Sequence, residues 1–427
     1  IYRMSKLSKI NTYDLRFPTS ENLDGSDAMN PDPDYSAAYL ILKSDDNLCG
    51  NGFAFTIGRG NDLCCKAIEA LAPNILGIEL DWIKNNPAKF WRLVCSDTQL
   101  RWVGPEKGII HMASSAIINA VWDLMAKKEG KPIWKLFAEM KSEDLANIID
   151  YRHLTDVLNK EEAIQILKQI ESTKNNRIKN LNKEGYPSYV TSAGWLGYTD
   201  EKIKKLCIAA SKKGFQHVKL KVGRSLKDDI RRISVVRETL GDEVKILLDA
   251  NQVWEVDEAI SWMRELSHFK PYFIEEPTSP DDIFGHKKIK DAIYPIKVAT
   301  GEAVQNRIIF KQLIANGAID IVQIDACRMG GVNEALAVQL IAKKYNLPVW
   351  PHAGGVGLCE YVQHLAMIDY ICISGEKSEN VIEYVDHLHE HFINPVKLTN
   401  ANYMPPSYPG FSIDFKPEVF KNYIFKN

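Results

Sequence analysis

Short apolar runs alternate with helical stretches along the second half of the chain. The runs are rich in branched and aromatic side chains, and they predict strands at 188–194, 216–222, 244–249, 272–275, 297–300, 319–324, 348–351 and 370–374. Stretches of helical periodicity lie between them, for example at 228–240, 256–267, 307–316 and 332–345. Near-continuous apolar strands are typical of a parallel sheet that is buried on both faces.

This alternation predicts a (β/α)8-type barrel, a modified TIM barrel, over residues 151–384. A doubly wound open sheet is the competing architecture. It is disfavoured because no Gly-x-Gly-x-x-Gly motif follows the first predicted strand.

The flanking segments have different patterns. Residues 1–150 combine strands at 9–16, 39–43 and 52–57 with helices, the clearest at 111–127, and predict an α+β capping domain. A polar, turn-rich loop at 20–35 interrupts the strands; it is either a substrate-covering loop or a plain surface loop. The aromatic, proline-rich tail, 385–427, is predicted to pack back on the capping domain and complete it.

Two lysines dominate the second predicted strand of the barrel. Lys219 and Lys221 are two residues apart, so they project from the same face of the strand. Like charges this close depress each other's pKa, and a lysine with a depressed pKa can act as a base near neutral pH. Taken alone, the pair fits a solvated edge strand protected by its charges better than it fits a catalytic base.

Charged residues also follow the later strands. Asp249, Glu275, Glu302, Asp325 and His352 each stand at or just after the end of a strand, and Glu383 lies beyond the predicted eighth strand. The first three are 26 and 27 residues apart, the length of one strand–helix unit. In a parallel barrel all these positions open onto the same mouth, where active sites lie.

The first three of these carboxylates predict a metal site. Asp249, Glu275 and Glu302 offer hard oxygen ligands on neighbouring strands, which suit Mg²⁺, and their mutual repulsion requires a cation. Zinc is disfavoured because no His or Cys pair joins the set. His352, oriented by Asp325, would face the lysines across the metal. This arrangement suits removal of a proton next to a carboxylate, with the metal stabilising the enediolate.

Chain length, net charge and cysteine content narrow the class of protein. The chain has 427 residues and a net charge of −2, so it lacks the broad basic surface of a nucleic-acid or anionic-membrane partner. Its eight cysteines show no zinc spacing and fit reduced thiols of an intracellular protein. No run of 18 apolar residues predicts a membrane span. The first residue is not Met, which leaves an organellar leader open.

These motifs resemble those of the enolase superfamily, specifically its mandelate racemase/muconate lactonizing enzyme branch. The matching residues are Lys219-Leu220-Lys221, Asp249-Ala250-Asn251, Glu275-Glu276-Pro277, Glu302, Asp325 and His352. Further stretches resemble the L-fuconate dehydratases, including animal mitochondrial members: 16–20, 32–39, 100–102, 275–282, 351–358 and 383–389.

The resemblance implies a Mg²⁺-dependent hydro-lyase that converts L-fuconate to 2-dehydro-3-deoxy-L-fuconate. It implies that Lys221 and His352 with Asp325 are catalytic, and that Lys219 contacts the substrate carboxylate. The implied metal ligands are Asp249, Glu275 and Glu302, and the implied substrate-binding residues are Gly25, Ser26, Asp27, Tyr35, Lys219, Asn251 and Glu383. It also implies a homo-oligomer and a mitochondrial location; without it, the sequence favours the cytoplasm.

Three functions remain open at this point: an acid-sugar dehydratase, a racemase or epimerase of a 2-hydroxy acid, and a catalytically silent binding barrel. The dehydratase and the racemase need the same opposed lysine and histidine. The natural acid sugar and the group that protonates the leaving hydroxyl are also open.

Overall fold

A computed structural model describes residues 5–426. The N-terminal part contains an antiparallel sheet of three strands in the order β1-β2-β3: Leu7–Arg16, Ser36–Ser44 and Cys49–Thr56. The sheet packs on a long helix through the glycine-containing strand β3. A Cβ on Gly52 would overlap the carbonyl oxygen of Ala116, so this close contact requires glycine.

Eight helices follow in this part of the chain. They are α1 (Asn61–Leu71), α2 (Leu80–Asn85), α3 (Pro87–Cys95), α4 (Gly108–Lys128), α5 (Ile133–Ala138), α6 (Ser142–Asn147), α7 (Lys160–Glu171) and α8 (Lys174–Glu184). Helix α4 is long and apolar enough to cross a membrane, but 94% of its most apolar 18-residue window is buried inside the protein. It is therefore the central core helix of the capping domain.

The barrel that the sequence predicts is confirmed. Its strands are β4 (Tyr186–Gly194), β5 (His217–Lys221), β6 (Lys245–Asp249), β7 (Phe273–Glu275), β8 (Lys297–Thr300), β9 (Ile321–Val322) and β10 (Ile382–Tyr384). Its helices are α9 (Asp200–Lys212), α10 (Leu226–Leu240), α11 (Val256–Leu266), α12 (Ile283–Ile293), α13 (Arg307–Ala315), α14 (Gly331–Lys344) and α15 (Leu358–Ile368). Neighbouring strands are parallel, and β10 pairs with β4 to close the barrel.

The predicted strand at 370–374 is wrong. This run lies in a π-helical turn, Asp369–Ser374, that extends α15, and the strand that closes the barrel is β10. A short apolar run has the same pattern in a buried helix and in a buried strand, so periodicity does not distinguish the two. Glu383 therefore lies on the eighth strand and not beyond it. The predicted strand at 348–351 is reduced to a single bridge between Val349 and Val322.

The lower half of the barrel interior is apolar. Side chains from different strands fill it: Tyr189, Leu247, Phe273, Ala299, Ile321, Trp350 and Val381. This apolar cluster fills the barrel interior next to the charged residues, and Lys221, Asp249 and Glu275 lie at the carboxyl ends of their strands, at the mouth of the barrel.

The C-terminal segment contacts both parts of the molecule. It contains β11 (Leu398–Thr399), β12 (Asn402–Tyr403) and α16 (Val419–Asn422), and β12 pairs with β4 of the barrel. Further on, Tyr39 of β2 donates a hydrogen bond to the carbonyl of Ile413, and Phe17 packs against Phe415. The boundaries at residues 150 and 384 stay predictions. All eight cysteines are free thiols, as the sequence predicts.

His389 joins the C-terminal segment to α15 in a charged form. Its Nδ1 lies 2.7 Å from Glu360 Oε1 and its Nε2 lies 2.7 Å from the carbonyl oxygen of Val385. Both partners only accept hydrogen bonds, so both ring nitrogens donate and the imidazole is protonated. Burial lowers the pKa of His389, but Glu360, Val385 and Asp386 together raise it to about 9.

We expect this contact to make stability depend on pH. A histidine whose pKa is raised by folding stabilises the fold fully below its unfolded pKa of about 6.5 and loses that contribution as pH rises through about 9. The free energy of unfolding should therefore fall between these values. Glu360→Gln should lose more stability at pH 6 than at pH 10, measured by urea denaturation. Equal losses at the two pH values would show that His389 is neutral.

Candidate active site

The register of the sheet places three charged side chains at one level. Lys221 on β5 pairs with Asp249 on β6, and Asp249 pairs with Glu275 on β7. Side chains in register on neighbouring parallel strands project to the same face, and here that face is the barrel interior. The sequence spacing therefore brings the lysines and the first two carboxylates together, as predicted.

Both lysines are buried among carboxylates. Lys219 Nζ lies 2.7 Å from Glu275 Oε2 and 2.9 Å from Glu383 Oε1. Lys221 Nζ lies 2.5 Å from Asp249 Oδ2. Lys219 is fully buried, whereas Lys221 keeps 8% of its surface exposed, so Lys221 is the one that reaches the open part of the mouth.

The expectation that the two lysines depress each other's pKa is wrong as a net effect. Burial lowers the pKa of Lys221 and Lys219 lowers it further, but Asp249, Glu302 and Glu275 raise it by more, so it lies above the usual lysine value. The pKa of Lys219 is raised in the same way by Glu275 and Glu383 against the cost of burial. Among the protein groups alone, attraction to the carboxylates outweighs the repulsion between the lysines.

Asp249, Glu275 and Glu302 form one cluster. Each offers a carboxylate oxygen, and these oxygens lie within 4.8 Å of one another. Burial, followed by the charges of Asp249, Glu302 and Glu383, raises the pKa of Glu275 to about 8 although Lys219 opposes this. Oε1 of Glu275 is buried and has no hydrogen-bond partner among residues 5–426. An oxygen-only donor set with an unsatisfied buried oxygen fits a hard divalent cation such as Mg²⁺.

His352 lies on the other side of the cluster. Its Nε2 is 3.2 Å from Glu302 Oε2, and its Nδ1 is 2.7 Å from Asp325 Oδ2. The other oxygen of Asp325 accepts hydrogen bonds from the backbone N–H groups of Cys327 and Arg328, which fixes the carboxylate. Asp325 therefore holds the imidazole with Nε2 toward the mouth, as the sequence predicts.

Glu383 and Asn251 line the same mouth. Glu383 accepts hydrogen bonds from Thr191 Oγ1 at 2.5 Å and from the backbone N–H of Ala353 at 2.9 Å. Asn251 adopts a left-handed conformation with φ of 47°, and its side-chain Oδ1 is buried without a partner among the described residues. Strained backbone and an unsatisfied amide at one position are typical of a binding residue.

The loop at 20–35 packs against the ends of the first two barrel strands. The backbone N–H of Leu196 donates to the carbonyl of Ser26, and Arg224 donates to the carbonyl of Asp27. Gly25 has φ of 84°, and a Cβ there would overlap the hydroxyl of Tyr35. Burial raises the pKa of Asp27, and the charge of Lys221 opposes this shift.

Sequence reasoning assigned no role to Glu276 or Thr191. Glu276 should point away from the mouth, because strand residues alternate. Instead it has a left-handed φ of 44°, its side chain accepts a hydrogen bond from Gln252 Nε2, and burial and the charge of Glu302 raise its pKa. A Glu-Glu-Pro sequence at a strand end could have signalled this turn. Thr191 supports Glu383 from β4, and no local pattern distinguishes it from an ordinary strand threonine.

The chain belongs to the enolase superfamily. Residues 202–419 match the family model described as enolase C-terminal domain-like, and residues 33–138 match the mandelate racemase/muconate lactonizing enzyme N-terminal domain. The first match alone covers half of the chain.

Three relatives show how similar this chain is to known proteins in sequence and in structure. L-galactonate dehydratase of Hypocrea jecorina is 53% identical over 417 residues, covering 96% of this chain and 92% of that protein. The crystal structure of human mitochondrial enolase superfamily member 1 has a TM-score of 0.97 at 50% identity, covering 99% and 97% of the two chains. L-talarate/galactarate dehydratase of Salmonella typhimurium, liganded with Mg and L-lyxarohydroxamate, has a TM-score of 0.75 at 25% identity, covering 98% and 93%.

The cofactor of the site is Mg²⁺, as predicted, in agreement with the magnesium-liganded relative and with the carboxylate cluster. We expect Glu275→Gln to weaken Mg²⁺ binding at least about 10-fold, since one anionic ligand is replaced by a neutral amide. Isothermal titration calorimetry measures this directly. Asp281→Asn removes the same charge from an exposed side chain just beyond β7 and should leave the affinity unchanged. Equal affinities for both variants would remove Glu275 from the metal site.

Proposed function

We propose that the protein is a Mg²⁺-dependent acid-sugar dehydratase that converts L-fuconate to 2-dehydro-3-deoxy-L-fuconate and water. The observation that carries this proposal is the placement of Lys221 and His352. Each contacts a different member of the carboxylate cluster, Asp249 and Glu302, so they approach it from two sides. A 2,3-dihydroxy acid held at the cluster by its carboxylate would have one proton-transfer group on each side of C2 and C3.

The first step is removal of the proton on C2. Lys221 is the base, because its Nζ reaches the open part of the mouth while Lys219 is buried below it. Lys219 contributes a fixed positive charge to the substrate carboxylate, through the position it holds between Glu275 and Glu383. Asp249, Glu275 and Glu302 would hold Mg²⁺, which would supply positive charge to the cluster and to the negative charge that develops on the substrate carboxylate.

The second step is loss of the hydroxyl on C3. Asp325 keeps a proton on Nδ1 of His352, so Nε2 is the atom that faces the substrate. His352 donates the proton from Nε2 to the departing hydroxyl, which leaves as water, and a C2–C3 enol remains. The enol then tautomerises: C3 gains a proton as the C2 hydroxyl loses one, which gives the 2-keto-3-deoxy acid. Overall the C2–H and C3–O bonds break, a C3–H bond and a C2 carbonyl form, and one water molecule is released.

The substrate chain beyond C3 would meet the loop at 20–35. Gly25, Ser26, Asp27 and Tyr35 would cover it, with Asn251 and Glu383 at its hydroxyl groups. L-Fuconate and L-galactonate share their configuration and differ only in a methyl or hydroxymethyl group at C6. The 53% identity to a protein named L-galactonate dehydratase supports L-galactonate as a second candidate substrate. A mitochondrial location, suggested by the human relative's name, and a homo-oligomer, implied by the family resemblance, complete the proposal.

We expect the protein with Mg²⁺ to release a 2-keto-3-deoxy acid from L-fuconate, detected as its semicarbazone, and to do so faster than from acid sugars of other configuration. The reaction should be run in parallel in D2O. Deuterium at C2 of recovered substrate without any keto acid would instead identify a racemase or epimerase. Neither product nor exchange with any acid sugar would indicate a silent binding barrel.

We expect Lys221→Ala to reduce turnover by at least about 10³-fold, since general-base catalysis typically contributes 10²–10⁴. Lys221→Arg should lose as much, because it keeps the charge but a guanidinium does not give up its proton near neutral pH. Mg²⁺ affinity should be retained in both. Lys227→Ala, at an exposed lysine on α10, is the matched control. Activity close to wild type in Lys221→Ala would exclude this lysine as the base.

A further inference from the structure

Helix α10 carries two buried charged residues directly behind the strand that holds the lysines. Arg232 is fully buried, and its Nη1 donates a 2.6 Å hydrogen bond to the carbonyl oxygen of Lys221. Its Nη2 donates to the carbonyls of Gly194 at 2.7 Å and Trp195 at 3.3 Å. One guanidinium therefore joins the carboxyl ends of β4 and β5.

Asp229, one helical turn earlier, binds the same strand end as a hydrogen-bond acceptor, whereas Arg232 binds it as a donor. It is fully buried, and its Oδ2 accepts hydrogen bonds from the backbone N–H of Gly223 at 2.9 Å and from Trp262 Nε1 at 3.0 Å. Arg232 thus donates a hydrogen bond to the carbonyl of Lys221, and Asp229 accepts one from the N–H of Gly223. The two side chains hold the backbone on both sides of Val222.

The burial of Arg232 and Asp229 lowers the stability of the fold. Arg232 Nε and Asp229 Oδ1 are buried without hydrogen-bond partners among the described residues, and the closest approach of the pair is 3.6 Å between Nη1 and Oδ1. Buried charges that are incompletely paired typically cost more than they return in stability, and apolar residues of similar size often replace them without loss. Their value therefore lies in where they hold the backbone.

We propose that Arg232 and Asp229 are positioning residues that fix Lys221 for proton transfer at C2. This inference rests on the proposed function, since it assigns the two residues to the base of that reaction. Among the described residues, neither Arg232 nor Asp229 has a hydrogen bond or ion pair with the carboxylates of Asp249, Glu275 and Glu302. Loss of the contacts should displace the lysine and leave the metal site in place.

The same helix provides a matched control. Arg237 donates hydrogen bonds to the carbonyls of Gly241 at 3.0 Å, Val244 at 2.7 Å and Phe269 at 2.8 Å. These carbonyls precede β6 and β7, so they lie at the end of the barrel opposite the mouth. Arg237 therefore binds backbone carbonyls as Arg232 does, but away from the site.

The test compares Arg232→Lys with Arg237→Lys. A lysine ammonium lacks the planar, two-nitrogen fork with which Arg232 joins the two strand ends, so the geometry of the bridge is lost. A displacement of about 1 Å at a catalytic group can cost about 100-fold in rate. We expect Arg232→Lys to lower kcat and the rate of C2–H exchange in D2O by about 10- to 100-fold, with KM and Mg²⁺ affinity within about 3-fold of wild type. Arg237→Lys should lower Tm comparably and leave kcat within about 2-fold.

Asp229 supplies a second variant pair in case Arg232→Lys does not fold. Asp229→Ala removes the acceptor for Gly223 and should lower kcat in the same way, whereas Asp229→Asn keeps an acceptor oxygen and should restore most of it. A lowered Tm with unchanged kcat in Arg232→Lys or Asp229→Ala would overturn the proposal and leave both residues with a structural role only.

A structural measurement separates this proposal from the dehydratase assignment. Crystal structures of the variants should show Lys221 Nζ displaced from its 2.5 Å contact with Asp249, whatever the substrate is. If the wild-type protein does not dehydrate L-fuconate but the displacement is seen, the positioning role stands and the proposed substrate fails. An undisplaced lysine would refute the positioning role.

Discussion

Charge compensation inside the barrel mouth is the constraint on which the rest of the site depends. Four carboxylates, those of Asp249, Glu275, Glu302 and Glu383, are confined above an apolar layer that gives them no solvent below. Buried anions this close are tolerated only with cations beside them. Two lysines and a histidine supply part of that charge, and a divalent metal fits the rest. The cations that stabilise the cluster are thus the same groups that can move protons.

This arrangement explains why the lysines are held so firmly. Each Lys Nζ is ion-paired to carboxylates that the metal would also use, so metal binding and lysine protonation are coupled through Asp249 and Glu275. A bound cation would weaken the hold of those carboxylates on the lysines and make a neutral amine easier to form. The like-charge argument drawn from the Lys-x-Lys spacing therefore omits the neighbouring carboxylates that raise the pKa of both lysines.

Most of the barrel could be predicted because its signal repeats. The 26- and 27-residue spacing of Asp249, Glu275 and Glu302 reports one strand–helix unit at a time. The pairing of Asp249 with Glu275 agrees with the first spacing, whereas Glu275 pairs with Ala299 and Glu302 follows beyond the end of β8. The last strand could not be placed, since β10 has only three residues and Glu383 interrupts its apolar pattern, whereas the longer run at 370–374 looks more like a strand. Contacts between distant segments, such as Thr191 with Glu383, leave no local pattern at all.

Several residues with left-handed backbone conformation lie at the mouth of the barrel, directly after strands β6 and β7. Asn251, Gln252 and Glu276 all have positive φ, and the backbone N–H of Gln252 donates to the carbonyl of Glu276. Such conformations cost free energy for residues other than glycine and persist only where surrounding contacts hold them. Here the hydrogen bond between Gln252 and Glu276 holds the turns after β6 and β7 together. The polar side chains that follow both strands therefore stay directed toward the carboxylate cluster. The barrel supplies a rigid ring of strand ends, and at β6 and β7 the left-handed residues follow directly on the strands that carry Asp249 and Glu275.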